Sequence, residues 1–310
     1  MSDATAAQAV TISAREQEQI RRANASGRNP VVFVHGLWLL PGSWQRWAML
    51  FEQAGYVALT PDWPDDPASV DEANAHPEVM AHKTVGQVAD HLGAILGRLE
   101  RKPIVIGHSF GGLLAQILAG RGLSAVTVAI APAPFRGVLP LPLSALRSAW
   151  PVLGNPANRR RAVPLTLDQF RFAFANAVDD GEAHELYATY AVPAPGAPLF
   201  QAATANINPW TEAQVDTANA ERGPLLIVAG ENDHTVPWSI ANASYGQQSR
   251  NPGLTEIVSI ANRGHSLTID SGWKEVADTA LAFVRRFATA DVMPRSAASV
   301  AETDRRDSRF

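Results

Sequence analysis

The chain has 310 residues, 46% hydrophobic and 18% charged, with a formal net charge of −4 and no cysteine. That length suits one catalytic domain carrying an insertion, and the near-neutral balance is that of a soluble enzyme, which argues against nucleic acid as a partner. The missing cysteines exclude disulfides, thiolate metal sites and a cysteine nucleophile. No basic region followed by an apolar stretch marks a secretory signal, so a cytoplasmic location is expected. No membrane insertion is expected either, because even the apolar stretch 125–143 is interrupted by prolines and an arginine.

Residues 1–28 read as a lead-in segment, helical over 11–27, with Ser13 as cap and Glu16, Gln17 and Glu18 in the first turn. Val31, Val32, Phe33 and Val34 then form a continuous apolar run ending in His35-Gly36, as expected of a parallel strand buried on both faces. A helix over 43–54 stops at Gly55, and a strand over 56–59 leads into a turn. Val85, Val88, Ala89, Leu92, Ile95, Leu96 and Leu99 recur at helical spacing on one face. Further apolar runs at 103–106, 125–130, 225–229 and 256–260 are mostly separated by helical segments. This alternation predicts an α/β fold: a mostly parallel central sheet with helices on both faces.

The alternation stops between 132 and 220, where prolines are frequent, and a largely helical cap is expected, with helices at 143–150, 166–177 and 181–190. The core is then 29–131 and 221–288. A last amphipathic helix carries Trp273, Val276, Ala277, Ala280, Leu281 and Val284. The polar, charged residues 289–310 are expected to be a disordered tail.

Chemistry concentrates in Gly107-His108-Ser109-Phe110-Gly111, a G-x-S-x-G motif between a buried strand and a helix. A serine on such a turn is lifted out at the carboxyl end of the sheet, and the helix amides favour negative charge beside it. With Gly112, this segment resembles the nucleophile elbow of α/β-hydrolases, and Val34-His35-Gly36-Leu37-Trp38 resembles their oxyanion loop. The resemblance runs from about residue 30 to 287 and is weakest in the cap. It departs from many members at the start, where 11–27 reads as a helix instead of an antiparallel strand pair, so a sheet with fewer strands is expected.

The resemblance implies a Ser-Asp-His triad, with the acid at Asp233 after the strand 225–229 and the base at His265 after the strand 256–260. The alternative acid position, after the strand 125–130, holds no acid. Glu231 sits two residues too early, and a loop-capping role for Asp233 is the plainer alternative. The resemblance places the oxyanion hole at the amides of Phe110 and Leu37, with a shift to Trp38 the alternative.

His76, His82, His91 and His184 fall on polar loops or helix surfaces without metal-ligand spacing, so no metal is expected, and the resemblance implies no cofactor. His35 and His108 read as structural. Trp38, Phe135, Trp150, Phe174, Trp210, His234 and Val236 are the candidate pocket residues, although cap aromatics also serve to pack the cap. Arg159, Arg160 and Arg161 read as a solvated run. The expected activity is hydrolysis of a small, largely apolar carboxylic ester through an acyl-enzyme on Ser109. Lactone, amide or carbon-carbon bond hydrolysis, perhydrolysis and acyl transfer are alternatives on the same fold, and a ligand sensor is the alternative from another class.

Overall fold

The computed structural model describes residues 10–287. The predicted tail at 289–310 lies outside the described residues. Helix α1 (Ala14–Ser26) opens on a capping box, in which Ser13 Oγ accepts from the Glu16 amide and the Glu16 carboxylate accepts from the Ser13 amide, and Gly27 at φ 65° ends it. In chain order follow β1 (Pro30–Val34), α2 (Gln45–Gln53), β2 (Val57–Leu59), α3 (Val70–Ala75), α4 (Val85–Gly97), β3 (Ile104–His108), α5 (Phe110–Gly120) and β4 (Val126–Ile130). The inserted region holds α6 (Leu143–Leu153), β5 (Ala162–Val163), α7 (Leu167–Ala173), α8 (Asp180–Tyr190), β6 (Ala194–Pro195) and α9 (Ala197–Ala203). The chain returns through β7 (Leu225–Gly230), α10 (Trp238–Gln248), β8 (Thr255–Ile260) and α11 (Trp273–Arg285).

Six strands form one sheet in the order β2-β1-β3-β4-β7-β8. Every pairing in it is parallel. The apolar runs dictate this, because β1, β3, β4 and β7 are buried along their whole length and need helices on both faces. Among the described residues, α1 and not a strand pair precedes β1, and it packs against β2. The order reverses between β1 and β3, a switch point at which parallel sheets open a crevice at their carboxyl ends.

Several boundaries differ from the sequence reading. Pro41 starts a 3-10 turn (Pro41–Trp44), so α2 begins only at Gln45. α6 runs through Pro151 to Leu153, and Asn158 Nδ2 donates to the carbonyls of Pro151 and Val152 at 3.1 and 3.2 Å. α7 ends at Ala173, and the carbonyl of Phe174 beyond it is taken by the Ser266 amide at 2.9 Å. α9 and the antiparallel β5-β6 pair have no counterpart in the sequence reading, because strands of two residues carry no period to read. His91, expected on a helix surface, is buried with Nε2 2.8 Å from Glu16 Oε1, so α1 is a packed part of the core.

Candidate active site

Ser109 stands between β3 and α5 with φ 57° and ψ −120°, a conformation rarely open to a residue with a side chain. The surroundings enforce it. A Cβ on Gly107 would lie 2.0 Å from the Gly111 carbonyl oxygen, and one on Gly111 would lie 2.0 Å from that of Val34, so strand and helix meet this closely only through glycines. The Ser109 amide continues the ladder to Ile130 at 2.9 Å, while its carbonyl accepts from Gly112, Leu113 and Ala133. The turn is thus held on three sides.

His265 Nε2 lies 2.9 Å from Ser109 Oγ, and His265 Nδ1 lies 2.7 Å from Asp233 Oδ2. The second Asp233 oxygen accepts from the amides of Thr235 and Val236 at 2.7 and 2.8 Å, which fixes the carboxylate plane. Asp233 follows β7 and His265 follows β8, so both reach Ser109 from carboxyl ends of strands. All three side chains are buried. The loop after His265 is clamped by Trp47 Nε1, which donates to Thr268 O at 2.9 Å, and by an Arg46 guanidinium bonded to Ile269 O.

His108, read from the sequence as structural, touches this relay directly. Its Nε2 lies 2.9 Å from the carbonyl oxygen of His265, and the two rings are 4.7 Å apart. Burial, and after it the positive charge His265 acquires on protonation, push His108 well below the ordinary imidazole value against a smaller opposing effect of that hydrogen bond.

Gly36 abuts the serine: a Cβ there would stand 2.8 Å from Ser109 Cβ and 3.5 Å from the Phe110 amide nitrogen. The Gly36-Leu37 loop and the first amide of α5 therefore flank Ser109. Behind the loop, His35 Nε2 lies 3.0 Å from Asp66 Oδ2, Lys83 Nζ is 2.5 Å from Asp66 Oδ1, and the His35 ring stacks on Trp63. Nothing in the sequence marks Asp66 or Lys83, because Asp66 is one of three aspartates, with Asp62 and Asp65, in a proline-containing loop and its lysine partner lies seventeen residues later.

Of the candidate pocket residues, Phe174 sets its ring 4.9 Å from His265, and Trp38 packs edge-on to Phe174 at 6.0 Å. Trp38 has φ 63° and is tied to the inserted region twice, through its Nε1 to Val163 O at 2.9 Å and through its carbonyl to the Val192 amide. Phe135 is buried in the core. Val236 supplies an amide to Asp233, and His234 packs on Phe172 with ring centroids 4.6 Å apart. Trp150 and Trp210 depart from expectation: on α6 and in the 207–210 turn they are 67% and 86% exposed and stand out to solvent. A cavity of about 600 Å³ opens nearby, lined by Leu40, Arg46, Asp62, Ser69 and Tyr190 among others, but its lining does not reach the buried triad side chains.

Fold and geometry together define a parallel α/β protein with a serine-histidine-aspartate relay at the carboxyl edge of its sheet. The chain belongs to the alpha/beta hydrolase family, which it matches over residues 31–279. No curated protein matches the chain significantly. Among solved structures, it is similar to a monoacylglycerol lipase of Paleococcus ferrophilus, with 21% identity, 84% of this chain and 95% of that one covered, and a TM-score of 0.58. An extracellular alpha/beta-hydrolase from a Paenibacillus species is similar at 18% identity, with coverage of 82% and 98% and a TM-score of 0.59. A pyrethroid hydrolase from Sphingobium faniae is similar at 16% identity, with coverage of 84% and 98% and a TM-score of 0.58. These are likenesses of fold. Among the described residues no helix is long and apolar enough to cross a membrane.

Proposed function

We propose that this protein is a serine hydrolase that cleaves a small, largely apolar carboxylic ester through an acyl-enzyme on Ser109. The observation that carries the reading is the unbroken relay from Ser109 Oγ through His265 to an Asp233 carboxylate held by two amides. In this reading His265 takes the Ser109 proton as Oγ attacks the ester carbonyl, and the Phe110 and Leu37 amides receive the oxyanion. His265 then returns the proton to the departing alkoxide. Water, deprotonated by the same imidazole, releases the acid, and Asp233 stabilises the imidazolium in both steps. Residues 132–220 act as the cap. An apolar acyl or alcohol group suits the Trp38 and Phe174 rings beside His265, and the lipase name of one similar structure accords with an ester.

Steady-state turnover of a series of p-nitrophenyl esters and lactones of increasing acyl size tests the reading. Esters are expected to turn over faster than lactones, with Asp233→Asn lowering kcat by on the order of 10⁴. Failure to hydrolyse any ester, or an Asp233→Asn variant as active as the parent, contradicts it.

A further inference from the structure

The strongest unused feature of the molecule is a group of apolar side chains standing out from the inserted region. Leu139, Leu141, Leu143, Trp150, Ile207 and Trp210 are between 66% and 86% exposed. Exposed large apolar residues are ordinary when scattered, but here they come together. Leu143, Arg147 and Trp150 follow one another at spacings of four and three along α6 and so form one stripe. The chain leading into that stripe is bonded to the 206–210 turn: Asn206 accepts from the Gly137 amide at 2.7 Å and donates to Val138 O at 2.9 Å, and Arg136 donates to Pro209 O at 3.1 Å. The segment that carries Ile207 and Trp210 is thereby tied to the one that leads into Leu139 and Leu141.

Arginines predominate around this group, although Glu212 lies two residues from Trp210 and Asp168 is exposed on α7, which packs on α6. Arg136, Arg147, Arg159, Arg160 and Arg161 are exposed in the same region. Between Glu100 and Asp168 the sequence contains no acidic residue, although the whole chain is net acidic at −4. The acid next to Trp210 in sequence, Glu212, is bonded to the Gly86 amide and to Gln201. Arg159 and Arg160 end a 3-10 turn (Pro156–Arg160) that packs on α6, and Arg161 caps it, so the basic run flanks the stripe.

We propose that this face docks the protein on an anionic lipid surface. Protruding leucine and tryptophan side chains enter the boundary between headgroups and acyl chains while the arginines meet the headgroup phosphates. A second copy of the chain fits less well, because self-complementary pairing would set the arginines of one copy against those of the other. Docking reaches the relay through contacts: Arg147 Cζ stands 3.8 Å from the Phe172 ring centroid, Phe172 packs on His234 in the Asp233 loop, and Phe174 packs on His265.

Co-sedimentation of the full chain with vesicles tests this. The protein is expected to sediment with phosphatidylcholine vesicles containing a third phosphatidylglycerol, at least tenfold more than with phosphatidylcholine alone, with binding falling as salt rises. The Leu139→Ser, Leu143→Ser, Ile207→Ser triple variant should lose that binding at least tenfold with an unchanged circular-dichroism melt. Changing Arg159, Arg160 and Arg161 to Gln should remove the preference for anionic vesicles. Three results overturn the proposal: no binding to anionic vesicles, equal binding by the serine variant, or a concentration-dependent dimer that the serine variant dissociates.

Discussion

The His265 ring is fixed on both nitrogens, by Asp233 and Ser109, and its backbone carbonyl by His108. A carbonyl accepts, so the neutral His108 ring carries its proton on Nε2 and donates it there. The push of burial and of the neighbouring imidazolium keeps His108 uncharged, so no second cation forms beside the relay. In the proposed mechanism His108 is a positioning residue, and its removal should cost about 1–1.5 kcal/mol, on the order of tenfold in rate. His108→Phe is expected to lower kcat by that factor with KM little changed. His108→Gln, which keeps an N–H donor, should recover most of the loss; a larger effect on KM than on kcat in steady-state ester hydrolysis would contradict the assignment.

At the scale of elements, the elbow and the strands that present the relay were legible because they obey strict local rules. Strand and helix can touch at Ser109 only through Gly107 and Gly111, and a parallel sheet delivers side chains such as Asp233 and His265 just past its strand ends. The inserted region obeys no such rule. Its two-residue strands and proline-flanked helices leave no period, and composition alone cannot tell Phe174, against His265, from Trp150 and Trp210 in solvent. The same obscurity hid the link from Trp38 to Val163. Trp38→Phe keeps an aromatic ring against Phe174 but removes the Nε1 donor, a loss of about 1 kcal/mol. Faster amide hydrogen exchange over 162–163 and 192–195 is expected in that variant, and unchanged protection there would argue that the bond does not hold the two parts together.

Across the whole molecule, the buried Asp66-Lys83-His35 group and the Glu16-His91 pair join loops and helices far apart in sequence. Burial alone would raise the Asp66 carboxyl, but the hydrogen bond and charge of His35, together with Lys83, outweigh it and hold Asp66 below the usual carboxylate range. A carboxyl lowered on folding contributes stability that is present above its unfolded value and is lost as pH falls through the folded one. Asp62 and Asp270, raised by burial, act in the opposite direction, so a variant comparison isolates Asp66. The melting-temperature gap between the parent and Asp66→Asn is therefore expected to be full at neutral pH and to close below about pH 4. Lys83→Met, which leaves a buried carboxylate with His35 alone, should be destabilised by about 3–5 kcal/mol in denaturant unfolding. Whether all this architecture serves an acyl-enzyme is decided at Ser109. Treatment with a fluorophosphonate probe, followed by intact-mass and peptide mapping, should show one adduct, on Ser109, with none on a Ser109→Ala variant that melts as the parent does. Labelling that persists in the folded Ser109→Ala protein, or an adduct mapped to another residue, would contradict the account.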